Sequence, residues 1–200
     1  MRALHLASGS PRRRALLEAA GVHLLPHPVA DIDEAWRGGE HPVIYARRMA
    51  AEKAAAASAR RGSSLEAPLL TADTTVWTHP SRPPLGKPEN AAAAAAMLAR
   101  LRRARRHQVT TAFAVQRPSG TLEVAHETTQ VWLCPPPREA LADYLAGDEW
   151  CDKAGGYAIQ GVAAAWVHRI EGSYANVVGL PVAQVLDHIW PSPAAPQEGT

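Results

Sequence analysis

Two hundred residues with 46% hydrophobic content suffice for one α/β domain with a sizeable core and are too few for two ordinary domains. A formal net charge of +2 excludes a dedicated nucleic-acid binder with a dominant positive field and fits a local anion site better. No apolar run reaches the roughly 18 residues of a membrane span, and "MRALHLASGS" lacks the apolar core of a secretion signal, so a cytoplasmic protein without membrane contact is expected.

In chain order, residues 2–7 read as a strand, 11–20 as a helix stopped at Gly21, and 22–29 as a proline-interrupted, edge-like strand. Residues 43–61 form a long alanine-rich helix and 68–77 an apolar, β-branched strand. A second long helix spans 89–106, its closing run "RLRRARRH" placing cations at the negative end of the helix dipole. The turn "RPSG" joins strands 108–116 and 122–133 into a hairpin. Residues 138–146 read as a short helix, 157–170 as a strand region and 182–190 as a final helix. The proline- and alanine-rich tail 191–200 has little to bury and is expected to be disordered, leaving 1–190 as one domain. The longest polar loops, 30–42 and 78–88, are where function tends to sit.

Cys134 and Cys151 form no CxxC pair and read as reduced thiols. His23 and His27 have i,i+4 spacing, but Pro26 breaks the helix that would bring them onto one face.

"LASGSPRRRALLEAAG" concentrates donors where a strand becomes a helix. Ser10 is a natural N-cap and Pro11 suits the first helical position. The free backbone N–H groups of that turn, with Ser8, Ser10, Arg12 and Arg13, would hold an oxyanion from several sides, and guanidinium forks suit a polyphosphate. Cations at a helix N-terminus oppose the dipole, so a cluster there without a ligand is unfavourable.

Only three of the 21 basic residues are lysines: Lys53, Lys87 and Lys153. Each falls in a compact motif, "AEKAAAA", "LGKPEN" and "CDKAGGYAIQG". Lys53 continues the apolar stripe Ala46, Met49, Ala50, Ala57 of its helix, where an ammonium needs an anion or a route to water. Lys87, in a constrained turn, is placed to aim a point charge at a phosphate.

In "PLLTADTTVW", Asp73 interrupts a strand of apolar residues and threonines, where a charge is costly unless paired or metal-bound. A strand-terminal carboxylate beside phosphate-holding cations would bind a divalent ion or take a proton from attacking water. The loop "VADIDEAW" offers Asp31, Asp33 and Glu34, either as further oxygens, Asp73 with Glu34 sufficing for Mg²⁺, or as a solvated acidic loop.

In order, "LASGSPRRRALL", "DIDE", "AEKA", "TADTTV", "LGKPEN", "DKAGGYAIQG" and "GSYANVVGLP" resemble the Maf family of nucleoside triphosphate pyrophosphatases. The resemblance implies a two-lobed α/β fold like that of inosine triphosphatases: an elongated mixed β-sheet flanked by helices, with a central cleft. It also implies metal-assisted attack of water on the α-phosphorus, releasing a monophosphate and pyrophosphate. Carried over by motif, Asp73 matches the general base, and Ser8, Arg13, Lys53 and Lys87 match phosphate-holding positions. Glu34 matches a metal-binding acid beside Asp73, the ion being Mg²⁺, Mn²⁺ or Co²⁺. Subgroups differ at Arg12, Thr74 and Gln160. Here the chain reads Pro-Arg-Arg, Asp-Thr and Gln-Gly, which resembles the dTTP/UTP subgroup, not the one acting on 7-methyl-GTP. An amide at Gln160 both donates to and accepts from the O4/N3-H edge of uracil or thymine.

Two features depart from the pattern: Trp150-Cys151 before "DKAG", and the heavy basic run 100–106. The expected ligand is a nucleoside triphosphate, with no nucleic acid and a homodimer as a possible assembly. The competing reading is a nucleotide-sensing or septum-regulating binding protein. It is disfavoured because a pure binder has no need for an acid that repels triphosphate.

Overall fold

The computed structural model describes residues 2–29, 31–61, 65–134 and 136–191. The expected disordered tail therefore lies, from residue 192 onward, outside the described residues. Six strands form one mixed sheet in the order β2-β1-β3-β4-β5-β6: β1 Ala3–Leu6, β2 His23–Leu25, β3 Leu69–Trp77, β4 Arg106–Gln116, β5 Leu122–Leu133 and β6 Val167–Glu171. β1 runs parallel to β2 and β3, and the remaining pairs are antiparallel. β2 is an edge strand and stops at Leu25, because Pro26 has no N–H to continue the ladder.

Helix α1 (Pro11–Ala19) starts where the sequence places it, with Ser10 Oγ accepting from Arg13 N and proline in the first turn. Helix α2 (Pro42–Arg61) lays its small-residue stripe on the sheet. Ala46, Met49, Ala50, Ala54 and Ala57 are wholly buried, three of the alanines packing against Ala112 and Ala114 of β4. Helix α3 (Ala91–Ala104) is capped by Asn90 and ends earlier than periodicity predicts. Arg105 adopts a left-handed φ of 59°, and Arg106 already belongs to β4. Helix α4 (Arg138–Ala146) has its expected bounds, and α6 (Val182–Ile189) closes the described chain. No described helix is long and apolar enough to cross a membrane.

Two apolar cores share the long hairpin. One gathers Leu4, Leu6, Leu17, Leu70, Phe113, Val115 and the buried residues of α6. The other gathers Val76, Leu98, Leu101, Val109, Val131, Tyr144, Tyr157 and Trp166. They lie at opposite ends of β3 and β4, and a fork in the sheet opens between them. β1 pairs with β3 only at Leu69 and Leu70, so from Thr71 onward β3 has no strand from β1 beside it. The chain leaving β1 passes through Ser8, Gly9 and Ser10 into α1 at that fork.

Two expectations need correction. Residues 157–170 are not a strand region. They contain a 3₁₀ turn at Val162–Trp166, following another at Ala154–Gly156, and only Val167–Glu171 is a strand. Gly155 sits at φ 76° and a Cβ there would press on Val76 at 3.1 Å, while Glu149 draws the amides of Val162 and Ala163 into a turn. Asp73 is not at a strand terminus either. It lies mid-strand, opposite Ala112, and reaches the cleft because β3 outruns β1.

Candidate active site

The fork in the sheet is the floor of a cleft of about 1090 Å³. Ser8, Arg12, Arg13, Glu34, Lys53, Asp73, Thr74, Lys87 and Gln160 all line it, with Asp31 but not Asp33 from the acidic loop. Alternation along β3 sorts the two central ones. Thr71 donates to the Ala50 carbonyl of α2 (2.7 Å), so Asp73 also faces α2, whereas Thr74 faces α1.

On the α2 face, the Lys53 ammonium donates to Asp73 Oδ1 at 2.8 Å and to Glu34 Oε1 at 2.7 Å. Lys53 is thus a charge within an otherwise apolar stripe, and its counter-ions are the two acids the sequence sets aside for metal and proton chemistry. Asp73 Oδ2 accepts no hydrogen bond among the described residues, so one oxygen is oriented by Lys53 and the other is free. Tyr45 holds the Glu34 loop by donating to the Glu34 carbonyl (2.9 Å). Burial, reinforced by the Asp73 and Glu34 charges, pushes its phenol up to about 12, so it stays a neutral donor.

On the α1 face, Arg13 is a bolt. Its Nε donates to the Gly179 carbonyl (2.8 Å), one terminal nitrogen to Ser8 Oγ (3.1 Å) and the Ala72 carbonyl (2.9 Å), and the other to Thr74 Oγ1 (2.9 Å). Four of its five N–H groups are therefore committed to protein. Desolvation lowers its pKa, an effect the Asp73 charge opposes. Thr74 is equally engaged, sharing a 2.9 Å bond with Thr111, whose own hydroxyl donates to the Asn176 carbonyl (3.1 Å). Ser8 Oγ accepts from Arg13 and from the Ser10 amide, which leaves its hydroxyl hydrogen for an anion.

Arg12 points its Nε to the Val178 carbonyl (3.2 Å) and has no other protein partner among the described residues. Burial lowers its pKa, against the pull of Asp152. Lys87 lies 3.5 Å from Asp152 in an exposed pair, and Gln160 is an exposed side chain at the cleft.

Among the described residues no three His, Cys, Asp or Glu side chains gather as metal ligands. The donor set on offer is the carboxylate pair Glu34 and Asp73, two hard oxygen ligands converging on one ammonium. Mg²⁺ and Mn²⁺ accept such a set when substrate phosphates and water supply the rest, so these residues fit a divalent cation held jointly with a substrate.

The model of the family described as Maf-like protein matches residues 3–190. The chain belongs to the Maf family. A protein named dTTP/UTP pyrophosphatase from Chromobacterium violaceum is 47% identical over 182 residues, covering 90% of this chain and 89% of its own. Its namesake from Nitratidesulfovibrio vulgaris (strain Hildenborough) is 44% identical over 180 residues, covering 90% and 83%. Among solved structures, a HAM1 protein from Coxiella burnetii aligns over 69% of this chain and 76% of its own, with 19% identity and a TM-score of 0.42.

In this Maf chain, one segment that marks the family also has a structural role that no local pattern announces. "GSYANVVGLP" contains a short helix, α5 (Tyr174–Val178), with no apolar periodicity long enough to announce it. Its Asn176 is fully buried, accepting from the Thr111 amide and donating to the Val109 carbonyl and to Thr129 Oγ1. The helix is pinned to β4 and β5, which holds the Gly179 carbonyl under Arg13. Gly172 precedes it at φ 120°, where a Cβ would come within 2.8 Å of Thr129 Oγ1. Tyr45 was equally unmarked, although it stands eight residues before Lys53 on one helix, two turns along and near the same face.

Proposed function

We propose that this protein hydrolyses dTTP and UTP, and modified pyrimidine nucleotides of the same shape, to the monophosphate and pyrophosphate. The observation that carries this reading is the Asp73 carboxylate, one oxygen held by Lys53 and the other free, facing a cleft rimmed by cations. The names of the Chromobacterium and Nitratidesulfovibrio relatives support the same activity.

In the reaction, Asp73 Oδ2 accepts a proton from water as the water oxygen attacks the α-phosphorus. The bond from that phosphorus to the bridging oxygen breaks and pyrophosphate leaves. Lys53 keeps the carboxylate turned toward the water, and Ser8 donates its free hydroxyl hydrogen to a phosphate oxygen. Glu34 and Asp73 would hold a divalent metal, which supplies neutralisation of phosphate charge when bound. Arg12, Thr74 and Gln160 shape selectivity, Gln160 through its amide and Thr74 by holding Arg13 in place. A cytoplasmic location, where nucleoside triphosphates are made and used, belongs to the same reading.

A carboxylate within an anion site repels a triphosphate that is merely bound, which favours turnover over nucleotide sensing. The test is pyrophosphate release from a panel of nucleoside triphosphates with Mg²⁺, Mn²⁺ or Co²⁺, and with chelator. Release from dTTP and UTP that needs metal is expected. No release from either with any of the three ions overturns the activity.

A further inference from the structure

Five cationic side chains line the cleft, and they are not equivalent. Lys53 is bracketed by two carboxylates, and Arg13 has four of its N–H groups on protein acceptors. The remaining three, Arg12, Lys87 and Lys153, line the same cleft, with the Asp152 carboxylate 3.5 Å from Lys87 and next to Lys153 in sequence.

Lys153 is the third lysine of a chain that otherwise uses arginine. Its stem is partly buried, and its ammonium donates to the Cys151 carbonyl at 2.9 Å. No carboxylate lies within ion-pair distance of it among the described residues, so two of its three N–H groups have no protein acceptor. Burial, and after it the Arg12 charge, lower its pKa.

The backbone holds this arrangement deliberately. Asp152 sits at φ 56°, a left-handed conformation that is unfavourable for a non-glycine residue. The Gly155 amide donates to the Gly86 carbonyl (3.0 Å), tying the loop of Lys153 to the loop of Lys87. The nearby carboxylate of Asp152 is largely exposed and 3.5 Å from Lys87, a pair too solvated to hold its partner against a competing anion. Like charges held together in a cleft wall call for a polyanion; a neutral pyrimidine ring needs no such field.

We propose that Lys153, with Lys87, binds the β- and γ-phosphates and so receives the pyrophosphate leaving group. The assignment rests on the pyrophosphatase reading and completes it. As the bond between the α-phosphorus and the bridging oxygen breaks, its electron pair stays on that oxygen, and the ammonium lies where the new pyrophosphate charge develops. Asp73 and Lys53 are then left to the attacking side.

The test is binding of inorganic pyrophosphate and, separately, of UMP, measured by calorimetry on the wild type, Lys153→Met and Lys153→Arg. Methionine keeps the buried stem and removes the charge. Expected is about tenfold weaker pyrophosphate binding in Lys153→Met, as for one lost charge-assisted hydrogen bond. UMP binding should change less than about twofold, and Lys153→Arg should recover most of the loss. Unchanged pyrophosphate binding in Lys153→Met, an equal loss for UMP, or an arginine variant no better than methionine overturns the assignment. Because binding is read without turnover, a wild type that binds pyrophosphate through Lys153 yet releases none from UTP sinks the activity and leaves the anion site standing.

Discussion

Lys53 Nζ lies 2.8 Å from Asp73 Oδ1 while Asp73 Oδ2 accepts no hydrogen bond among the described residues. One ammonium therefore orients a carboxylate that sits in the middle of a strand and faces a polar cleft. Removing the charge while keeping the shape isolates the proton-accepting role. Asp73→Asn should lower pyrophosphate release from dTTP by at least about a hundredfold, the range of a lost general base. Turnover at the wild-type rate would move the base elsewhere.

Arg13 gives a contrasting expectation. The sequence nominates it as a phosphate ligand, and the structure uses it to join Ser8, Ala72, Thr74 and Gly179. Lysine cannot reproduce a planar fork that reaches four acceptors. Arg13→Lys should therefore lower folding stability by on the order of 3 kcal/mol, seen as a reduced urea midpoint. A variant that folds as stably as the wild type but loses pyrophosphate affinity would restore the ligand role.

Gln160 bears on selectivity. A carboxylate at this position keeps an acceptor and loses the amide donor that pairs with O4 of uracil or thymine. Gln160→Glu should reduce kcat/KM for dTTP and UTP by about tenfold or more while pyrophosphate affinity stays within about twofold. Equal losses for purine and pyrimidine triphosphates would remove Gln160 from base recognition.

His107 couples stability to pH. It is completely buried, shares a 2.7 Å hydrogen bond with Tyr157, and has its pKa lowered to about 3 by desolvation. Between the unfolded value near 6.5 and the folded value of about 3, the unfolded chain binds a proton that the folded chain does not. Stability should accordingly fall on acidification through that window, by up to about 1.4 kcal/mol per pH unit. His107→Phe should flatten the dependence between pH 6 and 4, measured by denaturant titration. It should also lower stability near pH 7 by about 1–3 kcal/mol, because the Tyr157 hydroxyl loses its partner. An unchanged slope would assign the acid sensitivity to other groups.

Much of the site was legible because chemically unusual residues stand out locally. Lys53 interrupts an alanine stripe, Asp73 interrupts an apolar strand, and Ser10-Pro11 marks a helix start. Each is an exception to a short-range pattern, and all of them reach one cleft. Less legible were groups whose importance lies in partners far along the chain. Asn176 matters through Val109, Thr111 and Thr129, and Arg13 through Gly179. The segment 157–170 reads as a strand because its apolar residues imitate one, while Gly155 and Gly156 at positive φ just before it and the Glu149 carboxylate turn the backbone away.

Composition, periodicity and motif chemistry by themselves determined an α/β chain, most of its elements and which side chains carry charge into the site, and the ordered motifs carried the family resemblance. These are properties of neighbours in sequence, where side-chain spacing and backbone sterics act directly. Only the tertiary structure decided how the charges are shared: Lys53 with two acids, Arg13 with the protein itself, Lys87 with Asp152, and Arg12 and Lys153 along the same cleft. That division depends on β3 outrunning β1 and on loops tied across the cleft, contacts between residues tens of positions apart that no local pattern encodes.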